Sequence, residues 1–70
     1  MKALAQRTKE ITAILDFVER NRSSYASLAV CRRAVDPDLE QVTPTTVGEL
    51  RQRLNVAPDN EISAYYSIVM

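Results

Sequence analysis

The chain has no histidine and no tryptophan, one cysteine, one glycine and no net charge across its 70 residues. Each shortage closes a class of function. Without histidine, general base chemistry at neutral pH loses its usual carrier. A single cysteine, Cys31, cannot form an internal disulfide, and without histidine it cannot complete a zinc site of the Cys/His kind within one chain. Gly48 alone cannot build a phosphate-cradling loop. No apolar run approaches the roughly 18 residues of a membrane span. The first ten residues turn polar before an apolar signal core forms, so neither export nor membrane insertion is expected. A lone thiol fits a reducing compartment, which makes the cytoplasm the expected location. No enzyme and no cofactor are expected.

What is present is one small domain, residues 1–70, with a divided charge. Residues 1–35 hold seven Lys and Arg against three Asp and Glu, and residues 36–70 hold two against six. Such a split marks either a charged partner surface or two halves that pair with each other. A chain this short buries only about 60% of its unfolded surface, and with no disulfide or metal to help, self-association is the remaining support. A homodimer is the expected state.

The apolar spacing predicts an all-α fold, a small bundle of three to four helices. Residues 3 to about 21 form an amphipathic helix with Leu4, Ile11, Ile14, Leu15 and Val18 on one face. Asp16 and Arg20 stand on it at i, i+4 with the acid first, the better orientation. Positions 4, 11 and 18 keep a seven-residue step that a coiled-coil seam could use. Ser23 or Ser24 can cap a second helix, Tyr25 to Val35, whose stripe reads Tyr25, Leu28, Cys31, Val35. Asp36-Pro37 ends it, and can equally begin a short helical turn through Leu39 and Val42. Thr46 and Glu49 have capping-box spacing, so a third helix is expected to begin at Thr46 and to end at Asn55 in a left-handed conformation. Asp59 is then available to cap a fourth. Residues 61–70 fit that helix through Ile62, Tyr65, Tyr66 and Val69, yet they also alternate as a half-buried strand would. An α+β fold with a C-terminal strand is therefore the alternative.

Two features could carry chemistry. Cys31 beside Arg32 and Arg33 could be an activated thiolate, although its place on an apolar stripe favours a plain buried thiol. Asp36, Asp38 and Glu40 could clasp a cation, but they lack the glycine turn and distal glutamate of a calcium loop, so a solvated acidic loop is expected.

Residues 46–63 resemble the helix-turn-helix of phage-repressor-type regulators. Thr46, Glu49, Leu50 and Leu54 match the first helix, Asn55-Val56 the turn, and Ile62-Ser63 the second helix. The resemblance implies a second helix lying in the major groove, read out by Asp59, Asn60, Glu61 and Ala64. Three positions depart from the family. Arg51 replaces its small alanine, Asn55 its turn glycine, and Pro58-Asp59 lengthens the turn. Carboxylates at Asp59 and Glu61 would repel phosphates, whose neutralisation supplies most non-specific affinity.

The favoured reading is a small non-enzymatic regulator or inhibitor that binds a protein partner through a helical surface. Tyr65, Tyr66, Asp59 and Glu61 are the candidate contacts, tyrosine being enriched at interfaces. The alternative is a small DNA-binding transcriptional regulator, with phosphates held by Arg20, Arg22, Arg32 and Arg33 and bases met by Asn60 and Ser63.

Overall fold

In a computed structural model, which describes residues 3–70, four helices make up the ordered backbone: α1 Leu4–Arg20, α2 Tyr25–Ala34, α3 Pro44–Val56 and α4 Asp59–Val69. The fold is all-α. The C-terminal stretch is helix because Ile62, Tyr65 and Val69 turn inward together at i, i+3, i+7. Ile68 and Met70, which the strand pattern would bury, are 36% and 73% exposed.

α1 runs as its pattern dictates. Ile14 and Val18 are fully buried and Glu10 nearly so, while Asp16 and Arg20 make the expected ion pair on the outside at 3.0 Å. Of the seven-residue series only Val18 is in the core. Ile11 is half-buried and Leu4 is 78% exposed, so no seam runs down these positions. The helix stops at Asn21, whose backbone and side-chain amides both donate to the Phe17 carbonyl.

α2 is capped by Ser24, whose hydroxyl accepts from the Ser27 amide at 3.1 Å. Its buried stripe is Ser27, Val30 and Cys31, one position round from the stripe read in the sequence. Tyr25 lies outside it, 83% exposed, on the solvent side of a first turn whose Ser27 faces inward. Beyond Ala34, Asp36-Pro37 gives a turn and no further helix. Asp36 accepts from the Asp38 amide at 2.9 Å, a side-chain turn that competes with helical bonding. Arg32 then donates to the Leu39 carbonyl at 2.7 Å and pins this loop back on α2.

α3 starts three residues earlier than its Thr46–Glu49 spacing suggests. Thr43 is the cap: its backbone is extended, its hydroxyl accepts from the Thr46 amide, and the Thr46 hydroxyl accepts from the Thr43 amide in return. Pro44 at the first helical position decides the matter. Its fixed φ is already helical and its missing N–H is one that a helix start leaves unbonded. We expect Thr43→Ala to cost about 1 kcal/mol in urea unfolding. Glu49→Ala should stay within about 0.5 kcal/mol of the parent, as exposed positions do. The reverse order would move the start back to Thr46.

The end of α3 also differs from expectation. Asn55 stays helical, and no described residue, glycine included, takes a positive φ. Ala57 is extended, as the residue before a proline prefers to be, and α4 begins directly after Pro58. Pro58, not Asp59, occupies the cap position, and no side chain caps α4.

The core gathers Ile14, Val18, Val30, Cys31, Leu50, Leu54 and Ile62, all with no exposure, from the four helices. α1 and α3 run antiparallel: Arg7 meets the carbonyls at the end of α3, while Glu19 and Arg22 lie against Pro44 and Val47 at its start.

Candidate functional site

Three places gather polar side chains. The first is the corner where α3 turns into α4. Arg7 of α1 reaches across it, donating to Leu54 O at 3.2 Å, Asn55 O at 3.3 Å and Ala57 O at 2.7 Å, and pairing with Asp59 Oδ1 at 2.7 Å. A helix end leaves its last carbonyls without partners, and a cation there also meets the negative end of the dipole. Asp59, on the first residue of α4, meets a positive end. The group is structural: it satisfies the corner and leaves no open position. It is also where the basic and acidic halves of the chain meet.

The second place is a notch between the end of α2, the end of α3 and the start of α4, with Arg33, Arg53, Val56, Glu61 and Tyr65 around it. Arg33 lies over the Tyr65 ring, 5.8 Å from its centroid, a cation–π arrangement. The Tyr65 phenol is pushed up by burial and by the Glu61 charge, with Arg33 acting the other way. Val56 is 81% exposed.

The third is an open groove of about 500 Å³ between α1 and α3. Ile11 and Leu15 line it from α1, half-buried, with Thr12, Asp16 and Glu19 along one wall and Arg51 on the other. It continues past Glu19 and Arg51 into a second depression bounded by Arg22, Val47 and Gly48. Glu19 and Arg51 border both hollows, yet among the described residues neither side chain is in an ion pair or hydrogen bond. Gly48 is a further peculiarity of this wall. A Cβ placed there meets nothing within 4 Å, so packing inside the chain does not require glycine. In a helix interior glycine costs roughly 0.5–1 kcal/mol relative to alanine.

The residues singled out from the sequence are dispersed among these places. Tyr65 is a core residue, 3% exposed, and cannot serve as a partner contact, whereas Tyr66 is half-buried and Glu61 is partly open beside the notch. Asp59 is held by Arg7. Asn60 is exposed and Ser63 half-buried on α4. The four arginines do not form one surface. Arg20 pairs with Asp16, Arg22 ends the groove, Arg32 holds Leu39 and Arg33 stacks on Tyr65. Arg32 and Arg33 lie towards the end of α2, about 10–12 Å along the helix from its start after Arg20 and Arg22.

Neither chemical candidate is supported. Cys31 is fully buried and burial pushes its thiol up to about 11, the opposite of activation by the neighbouring arginines. Asp36, Asp38 and Glu40 are exposed on the loop, and among the described residues no group of three metal-ligating side chains gathers. No described helix is long and apolar enough to cross a membrane.

The groove was not visible as a pattern, since Glu19, Gly48 and Arg51 belong to different helices. Arg7 had one signal, a charge standing where an apolar seam residue would be expected. No protein-family model, curated protein or solved structure matches the chain, so its site is read from its own residues.

Proposed function

We propose that this chain is a small non-enzymatic regulator or inhibitor that works as a homodimer and binds a protein partner through a helical surface. The open α1–α3 groove carries the reading. Half-buried Ile11 and Leu15 on its floor, and Glu19 and Arg51 on its walls, whose side chains have no partner among the described residues, offer both apolar area and directional charge. Those are the ingredients of a protein interface. The notch around Val56 supplies a second exposed apolar point, rimmed by Arg33 and Arg53.

The arrangement weighs against DNA reading. α4, which would enter the major groove, contains no Lys or Arg, and its first acidic residue is held in an ion pair. The scattered arginines leave phosphates no continuous track.

The test is photo-cross-linking in the producing cells, with a benzophenone side chain at Thr12 in the groove, at Val56 in the notch, and at Asp38 as a control. A discrete adduct with another protein or a second copy is expected from Thr12, one with another protein from Val56, and none from Asp38. Silence at both test positions overturns the reading. Sequence-specific DNA binding in the nanomolar range at roughly 0.15 M salt, lost on changing Asn60 or Ser63, would replace it with the DNA-binding alternative.

A further inference from the structure

We infer that the α1–α3 groove is the dimer interface: a second copy of this chain covers it, related by a two-fold axis running along the groove. This rests on the protein-binding reading above and names the occupant of that site. The argument is one of charge and symmetry. A two-fold contact must be self-complementary, because the same patch supplies both sides. Here the two walls carry opposite signs, Asp16 and Glu19 on α1 and Arg51 on α3. An axis along the groove lays α1 of each copy on α3 of the other without shifting their level. Glu19 and Arg51 border the same two hollows, so both lie on the stretch of groove that the second copy covers. The acidic wall of each copy is therefore set against the Arg51 wall of the other, twice over, and it covers Glu19 and Arg51, whose side chains have no partner among the described residues.

The apolar surface agrees with this geometry. Ile11 and Leu15 of the two copies meet on the axis, and Leu4, 78% exposed, extends the same side of α1 outward. Two layers of two antiparallel helices stacked groove to groove are the layout of a four-helix bundle core. Gly48 finds its reason here. It borders the groove with open space over its Cα, where the backbone of α3 can be approached closely by a facing helix. With no net charge, two copies meet without general repulsion. The Val56 notch lies at the far ends of α2 and α3 and stays outside, open to a different protein.

Charge reversal tests the arrangement. Sedimentation velocity should show the parent as a dimer at about 50 µM. Glu19→Arg alone and Arg51→Glu alone each set like charges against each other across the axis. Each should weaken dimerisation at least about tenfold, like-charge contacts at interfaces being costly. Mixing the two variants in equal amounts should restore the dimer, because a mixed pair brings each new charge against its opposite. No rearrangement within one chain can produce that recovery. Both residues are exposed, so the variants should keep the parent's circular dichroism. A monomeric parent, variants that dimerise like the parent, or a mixture that stays monomeric would each overturn the inference. A monomeric parent whose Val56 probe still captures another protein removes the dimer, here and in the proposed function, and leaves the partner-binding reading standing. Silence at Thr12 and Val56 removes the partner-binding reading too.

Discussion

Arg7→Ala should destabilise the fold by about 2–4 kcal/mol, the larger part of what holds the α3–α4 corner in place. Four acceptors converge on this one guanidinium: three carbonyls from the last turn of α3 and its exit, and the Asp59 carboxylate. Hydrogen bonds to a charged group contribute about 1.5–3 kcal/mol apiece when well buried. The Arg7 and Asp59 side chains are 20% and 35% exposed, so water screens part of that and the sum must be discounted. What survives is the cost of leaving helix-end carbonyls unpartnered beneath a partly covered corner. Asp59→Asn removes the ion pair but leaves the carbonyl bonds, and should cost about 1 kcal/mol or less. Arg7→Lys should fall nearer the alanine variant than the parent, since an ammonium cannot span four acceptors as a planar fork does. Urea unfolding at fixed protein concentration measures all three. An Arg7→Ala midpoint equal to the parent's would mean that apolar packing alone sets the corner.

That corner also shows why part of this molecule was hard to read from its sequence. α1, the start of α2 and its stop before Asp36-Pro37 are decided by neighbours within four residues and lie close to where the sequence reads them, with Ser24 the one of two candidate serines that caps and no helical turn after Pro37. The start of α3 is read at Thr46 from the sequence, and Thr43 is the signal that this reading passes over. Thr43 and Thr46 both have a plausible capping partner three residues on, and only the helical preference of Pro44 at the first position separates them. The end of α3 is not local at all. No glycine terminates it because Arg7, about 50 residues away in sequence, takes its carbonyls, and Pro58 keeps Ala57 extended. α2 is a case of phase. Its stripe is turned so that Ser27 is buried beside the capping hydroxyl of Ser24 and Tyr25 is left in solvent. An apolarity count cannot anticipate a serine preferred over a tyrosine. The groove is further still from sequence, because its floor and walls acquire meaning only when α1 and α3 lie antiparallel.

The two tyrosines of α4 should separate cleanly on replacement, though adjacent and alike in sequence. Tyr65→Ala is expected to cost about 3–5 kcal/mol, the range for removing a large aromatic side chain from a core. Its ring is 3% exposed, contacts the buried cluster and carries the Arg33 guanidinium on its face. Truncation therefore leaves a cavity and also strips Arg33 of its stacking surface. For a domain of this size that is a large share of total stability. Tyr65→Phe keeps ring and stack and should stay within about 1 kcal/mol of the parent. Tyr66 is packed only at the edge of the core, and Tyr66→Ala should cost about 1 kcal/mol, the typical value for a point substitution. The contrast has a functional edge as well. Loss of partner capture in Tyr65→Ala would follow from unfolding, whereas the same loss in Tyr66→Ala, at unchanged thermal midpoint, would place Tyr66 in the contact surface. Equal destabilisation by the two alanine variants would show that α4 buries a different face from the one described.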